Sequence, residues 1–309
     1  MKVVKGIEKL TETLHFPIVC IGNFDGVHLA HQEILRTVIK KANKHSGASV
    51  VYTFNPHPQI ALRPQVKTEL LTTYLERLQH LELQGIDYVI EQPFSREFST
   101  TSPEEFFNDI LLHRLNAKEV VVGYDFSFGK GRQGHLDSLQ KYCDQAGVLL
   151  TIVQPFRVAG EIVSSTRVRQ HIQSSEIQKA NELLGYNFYY HGIVQKGEGR
   201  GQKLGYRTAN LILDQKITLP FGVYATWTKV NQQKLMSVTN IGVRPTFYNS
   251  NEIEANVETH IIGQDIDLYG KNIKIEFVNK IRDEKKFLSK DELTNQIKKD
   301  IEVTVNFLS

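Results

Sequence analysis

Residues 22–32 read GNFDGVHLAHQ, and residues 163–169 read VSSTRVR. In the first stretch two imidazoles, His28 and His31, stand three positions apart just past a glycine-bearing turn, the spacing that puts side chains on one helical face. In the second, serine and threonine hydroxyls gather with Arg167 and Arg169 where a helix would start. Hydroxyls, guanidinium groups and the unpaired N–H groups of a helix N-terminus together bind anions. Imidazoles beside them would hold the oxygens of a triphosphate as charge builds during attack, which requires neither histidine to act as a base. Blander readings stand beside this one. A zinc pair would use HExxH spacing with a third ligand, a dinucleotide site would carry GxGxxG, and neither pattern is present. Histidines near a helix start, or an N-cap followed by solvated arginines, also occur without a task.

The second half carries another set. Residues 192–211 read GIVQKGEGRGQKLGYRTANL, where Gly197, Gly199, Gly201 and Gly205 expose backbone N–H groups that can fold over phosphates. The GK[ST] ending of a Walker A loop is missing, and a plain glycine-rich hairpin is the alternative. Thr208 and Asn210 offer the neutral oxygen ligands that magnesium accepts. Further on, VETHIIGQDIDLYG alternates, with Val257, Thr259 and Ile261 on one face and Asn256, Glu258 and His260 on the other. A carboxylate on the open face of a strand can take the proton of an attacking hydroxyl, or be merely solvated.

Two kinds of element must position these groups. The first half alternates apolar runs such as PIVCIG, ASVVYTF, IDYVIEQ and KEVVVGYDF with helical patterns, among them SPEEFFNDILLHRLN with a capping box at Ser102 and Glu105. Such βα units imply a parallel sheet covered on both faces, with the histidine turn at the carboxyl end of PIVCIG and a helix from about Val27. After Leu184-Gly185 strands follow one another without helices: YYHGIVQ, GVYATWTKV, KLMSVTNIG, ANVETHII and NIKIEFVNK. This pattern implies an antiparallel sheet or small barrel. A final helix has a capping box at Ser289 and Glu292 and a stripe of Leu293, Ile297, Ile301 and Val305. The expected fold is therefore an α/β domain over residues 1–185 followed by a β domain over 186–309, and 309 residues suit two domains.

Composition narrows the classes. The net charge of +3 and the lack of a basic run argue against a nucleic-acid or membrane surface. Two cysteines exclude a disulfide framework or a cysteine-built zinc site, and Cys20, inside an apolar run, reads as a small hydrophobe. No signal core or membrane-spanning stretch is evident, which makes the cytoplasm the default address.

These stretches resemble a known family. GNFDGVHLAHQ is similar to the GxFDGVHxGHQ signature of nucleotidyltransferases and VSSTRVR to their ISSTxxR motif. TFNPHP and VVGYDFSFGKGRQG resemble the flavin adenylyltransferase module of prokaryotic bifunctional riboflavin kinase/FAD synthetases. GRGQKLGYRTANL, LPFGVYA, NIGVRPTF, VETHIIGQDIDLYG and IRDEKKFLSKDELTNQIKKD follow the order of riboflavin kinase modules. The resemblance covers nearly the whole chain. It implies a Rossmann-like nucleotidyltransferase domain and a kinase barrel that convert riboflavin to FMN and FMN to FAD, using ATP with Mg2+. It further implies that Gly22, Phe24, Asp25, His28, His31, Ser164, Ser165, Thr166 and Arg167 bind the adenylyltransferase's ATP, and that Asn55, Asp125, Phe126 and Phe128 meet the flavin. In the kinase it assigns ATP to Gly199, Gly201, Lys203, Gly205, Thr208 and Asn210, the metal to Thr208 and Asn210, and the base to Glu258. Two positions depart from the family pattern: Ala30 replaces a glycine between the histidines, and Arg207 replaces the proline of PTAN. Rival readings are a chain that retains one activity, and a non-catalytic flavin-binding regulator.

Overall fold

The structure, a computed structural model, describes residues 1–66, 68–195, 205–211, 219–243 and 255–309. The chain divides into two compact units, Met1–Ser164 and Ser165–Ser309.

In the first unit β1 (Lys2–Lys5), β2 (Ile18–Ile21), β3 (Ser49–Asn55), β4 (Tyr88–Pro93), β5 (Glu119–Gly123) and β6 (Leu149–Val153) form one sheet in the order β1-β4-β3-β2-β5-β6. Every pairing is parallel. Between the strands run α1 (Leu29–Lys44), α2 (Pro58–Leu62), α3 (Tyr74–Gln84), α4 (Pro103–Glu105, continuing as a π-helix over Phe106–Arg114) and α5 (Leu136–Ala146). A small ribbon, β7 (Arg157–Val158) with β8 (Glu161–Ile162), ends the unit. The expected capping box at Ser102 and Glu105 opens α4.

β2 is buried along its whole length, as a strand covered on both faces must be. Ile18 and Cys20 pack with Leu35 and Val38 of α1, and Val19 and Ile21 with Tyr52, Phe107 and Leu111 on the opposite face. From β2 the chain goes to β3 and β4 on one side, then to β5 and β6 on the other. The carboxyl ends of β2 and β5 thus flank the switch point where an open parallel sheet leaves a crevice.

The second unit begins with α6 (Ser165–Gln173) and α7 (Ile177–Leu184). A closed antiparallel barrel follows, built from β9 (Tyr189–Gln195), β10 (Ala209–Leu211), β11 (Gly222–Val230), β12 (Gln233–Val243), β13 (Ala255–Ile261) and β14 (Asn272–Arg282) in the order β10-β13-β12-β11-β14-β9. α8 (Lys290–Leu308) completes it, and Arg282 grips the buried Asp300 of α8 through both carboxylate oxygens at 2.8–3.1 Å.

Packing groups residues 165–185 with the second unit, ahead of the strand-rich stretch expected from about residue 186. The reason is α7, which buries Ile177, Ala180, Leu183 and Leu184 and belongs with the barrel. Asn181 Nδ2 donates to the Phe277 carbonyl of β14 at 2.9 Å, while its Oδ1 accepts from Phe188 N at 2.8 Å.

The barrel interior is partly polar. Thr226, Thr228, Ser237, Thr239 and Thr259 are each no more than 1% exposed. Their hydroxyls interlock: Thr226 with Ser237 at 2.7 Å and Thr239 at 2.8 Å, Thr228 with Ser237 at 2.8 Å, and Thr239 with Thr259 at 2.9 Å. Mutual satisfaction makes this burial tolerable.

Candidate active sites

In the first unit the candidate site is a turn at the carboxyl end of β2. Phe24, Gly26 and Val27 have φ of 51°, 81° and 34°. A left-handed conformation is strained for phenylalanine and more so for β-branched valine, so the surroundings must impose it. Asp25 is one clamp. Buried at 4% exposure, its carboxylate accepts from the backbone N of Leu71 at 3.0 Å and of Thr72 at 3.1 Å, and from the Thr72 hydroxyl at 3.2 Å. The Thr72 hydroxyl oxygen in turn accepts from Gly26 N at 3.1 Å. Asp25, expected at ATP, thus has a task within the turn. Phe24 is buried in the core with its ring centroid 5.1 Å from that of His31. A Cβ at Gly22 would lie 3.2 Å from the Phe24 ring.

The helix starts two residues later than expected. Its first residue is Leu29, and His28 is the N-cap, its Nδ1 accepting from His31 N at 3.3 Å. An N-cap imidazole replaces the usual hydroxyl or carboxylate acceptor. The cap draws the rings together: His28 and His31 stack with centroids 3.6 Å apart and planes 16° from parallel. Burial, and then the neighbouring His28, hold the His31 pKa well below its ordinary value, so the ring is neutral at pH 7. His31 Nδ1 has no hydrogen-bond partner among the described residues. An incoming polyanion would raise the pKa, as any nearby negative charge does. Ala30 is half-buried between the two rings in sequence.

Asn55 ends β3, half-buried, and its Nδ2 donates to Glu91 Oε1 at 3.3 Å. Asp125 is exposed beyond β5. Phe128 is 7% exposed and packs in the core, and Phe126, half-buried, stacks on it at 5.4 Å and 16°. Phe126 is therefore the more accessible of the pair. Sequence reasoning missed Phe54, Phe94 and Phe98, whose half-buried rings meet 5.4–6.0 Å apart at the ends of β3 and β4. It also missed Arg77, which sequence periodicity reads as a helix-face charge. Ser164 is the last residue of the first unit, while Ser165, Thr166 and Arg167 open α6 in the second, and Arg167 Nη1 donates to Gln170 at 3.1 Å.

In the second unit the alternation of VETHII holds. Val257, Thr259 and Ile261 face the sealed interior, while Asn256, Glu258 and His260 are half-buried. Glu258 lies between Asn210 of β10 and Asn240 of β12 in the cross-strand register, and its Oε1 accepts from Asn256 Nδ2 at 2.7 Å. Asn240 was not foreseen. Thr208 immediately precedes β10 and is half-buried. Arg207 Nη1 donates to Asp265 at 3.3 Å, its Nη2 is 3.5 Å from Asp267, and the guanidinium lies 5.5 Å from the centre of the Tyr269 ring. These residues and Thr208 line one recess of the barrel wall. The Arg207 carbonyl is 2.8 Å from His260 Nδ1. Gly205 has φ 82°, and Gly199, Gly201 and Lys203 lie outside the described residues. Among the described residues no three His, Cys, Asp or Glu side chains form a metal cage. The Thr208 hydroxyl and Asn210 carboxamide, with Glu258 across the ladder, are hard oxygen donors of the kind magnesium takes.

Comparison with known proteins also finds two regions. Residues 11–167 match the family model described as FAD synthetase, and residues 184–308 that of riboflavin kinase. A protein of Buchnera aphidicola named bifunctional riboflavin kinase/FMN adenylyltransferase is 34% identical, covering 100% of this chain and 99% of its own. One of the same name from Escherichia coli K12 is 35% identical over 97% of this chain and 96% of its own. A solved structure from Streptococcus pneumoniae, described as a macrolide-efflux protein, shares the fold with a TM-score of 0.89 at 33% identity, over 99% of this chain and 98% of its own. Among the described residues of the present chain no helix is long and apolar enough to cross a membrane.

Proposed function

Because the chain belongs to the bifunctional riboflavin kinase/FMN adenylyltransferase family, we propose that its barrel phosphorylates riboflavin and its parallel-sheet unit adenylylates the resulting FMN. The coexistence of two separate polar constellations in one chain carries this reading: stacked His28 and His31 at the head of α1, and Glu258 flanked by amides on the barrel wall.

In the kinase step Glu258 accepts the proton of the ribityl hydroxyl as its oxygen attacks the γ-phosphorus of ATP. Positioning and electrostatics supply most of the rate in such transfers. Thr208 and Asn210 would hold Mg2+, which when bound supplies charge neutralisation on the nucleotide's phosphates. Arg207 is paired with Asp265 and Asp267, so its charge is balanced beside Thr208 rather than competing with the cation. In the adenylyl transfer an FMN phosphate oxygen attacks the α-phosphorus of ATP and pyrophosphate leaves. His28 and His31 hydrogen-bond the triphosphate where its charge rearranges. Asn55 and Phe126 meet the flavin. The cytoplasm, where ATP and magnesium are plentiful, suits both steps.

The test is product chromatography after incubating purified protein with Mg-ATP and, separately, riboflavin or FMN. FMN and FAD from riboflavin, with FAD from FMN, is the expected result. ATP left unconsumed in both tubes would replace the enzyme by a flavin-binding protein.

A further inference from the structure

The carboxyl edge of the first sheet buries two opposite charges to which the mechanism above gives no role. Arg77 of α3 is 6% exposed and Glu91 of β4 is 5% exposed. Arg77 Nη1 donates to the Asn23 carbonyl at 3.0 Å, and Nη2 to the Phe54 carbonyl at 3.0 Å. Asn23 lies in the strained histidine turn, and Phe54 immediately precedes Asn55. One guanidinium therefore clasps the ends of β2 and β3. Glu91 acts on the neighbouring group: its Oε1 accepts from Asn55 Nδ2 at 3.3 Å.

Packing alone does not call for this arrangement. Desolvating charges is costly, and apolar residues of similar volume often serve stability as well or better. Arginine instead offers a planar fork of donors that fixes two acceptors in relation to one another, which a lysine ammonium does not do. The cluster also retains buried capacity: Thr53 Oγ1, Arg77 Nε and Glu91 Oε2 find no partner among the described residues, and Thr53 and Glu91 are neighbours in the β3–β4 register. Buried polar groups left incomplete are more readily explained by function than by stability. The turn itself, with Phe24 and Val27 in left-handed conformations, needs an external restraint.

We infer that Arg77 and Glu91 are positioning residues for adenylyl transfer: Arg77 sets the histidine turn against the end of β3, and Glu91 aims the Asn55 carboxamide. The inference rests on the adenylyltransferase reading and deepens it. Arg77 acts through the backbone on both candidate binding segments, whereas the hydrogen bond of Glu91 is to Asn55 on the flavin side. Their kinetic signatures must therefore differ.

The full-length protein is assayed for FAD formation from FMN, with KM measured separately for FMN and ATP and the thermal midpoint recorded. Glu91→Gln should raise the FMN KM about tenfold, the scale of one charge-assisted hydrogen bond, and leave the ATP KM within about twofold. Arg77→Lys should lower kcat per folded chain by roughly tenfold or more, because small misplacements at reacting centres are expensive, over and above any fall in the thermal midpoint. A lowered midpoint with both KM values and the kcat per folded chain unchanged would make the pair purely structural and overturn the inference. If Glu91→Gln does not fold, Arg77→Lys decides alone, and wild-type kcat in that variant also overturns it. FAD formed by the wild type with an unshifted FMN KM in folded Glu91→Gln sinks this inference only. No FAD from the wild type removes the adenylyltransferase reading with it.

Discussion

The two units of this chain make polar sites by opposite means. In the parallel-sheet unit the polar groups lie at strand ends and are buried: Asp25, His28, Arg77 and Glu91 are each 4–6% exposed, held by backbone groups and neighbouring side chains. In the barrel the interior is closed by interlocked hydroxyls, and Asn210, Asn240 and Glu258 stand half-buried at matched register on neighbouring strands. The first arrangement buries charge and depends on electrostatics in a poorly solvated setting. The second places groups by strand register, where a two-residue repeat fixes orientation without burying charge. Substitutions should therefore perturb pH dependence and stability in the first unit, and chemistry with little structural cost in the second.

The largest expected effect tests the barrel side. Glu258→Gln should lower FMN formation from riboflavin by about 10²–10⁴-fold, the usual scale of a positioned general base, while FAD formation from supplied FMN is retained. Undiminished kinase turnover would remove Glu258 as the base. On the other side, His28→Ala should reduce FAD formation by about 10²–10³-fold, as loss of a transition-state donor does, and spare FMN formation. Equal loss of both would erase the division of labour.

A smaller effect separates the units by pH. Burial, followed by His28, lowers the His31 pKa, so below about 6.5 the unfolded chain binds a proton that the folded unit refuses. The unfolded state then holds more protons, and stability falls as the pH drops through this range. The thermal midpoint of the wild type should fall more between pH 7 and pH 5 than that of His31→Gln, and identical slopes would place the penalty elsewhere. The smallest effect belongs to Arg207. Its ion pairs are solvent-exposed, so Arg207→Ala should change the ATP KM of the kinase step by no more than about threefold. A loss of tenfold or more would give Arg207 a direct role at the nucleotide.

Much of this was legible because it is periodic. The apolar runs of the first half and the alternation of NIKIEFVNK and VETHII foretold a parallel sheet and a strand-rich second half, and even which side of β13 carries Glu258. Polarity inside an element was harder to read. The threonines and serine of ATWTKV and LMSVTNIG resemble outward residues until three strands bring their hydroxyls together. Arg77 sits in YLERLQHLELQ like any solvated helix charge, and the carbonyls that hold it come from β2 and β3 ends distant in the chain. Glu91 gave one signal, since it shares the strand face of buried Val89. His28 was recognised, but its capping role depends on a local hydrogen bond that the HxxH spacing does not specify.

The helix pair α6 and α7 bears on how such a chain can be inherited in pieces. The two matched regions leave residues 168–183 to neither, yet Asn181 reaches two backbone groups of the barrel unit and Ser175 accepts from Lys280 at 3.2 Å. A recombination event that cut at the first strand of the barrel would strand those groups. One that cut at Ser164 would pass the kinase on whole, with both helices still packed against the strands they cap.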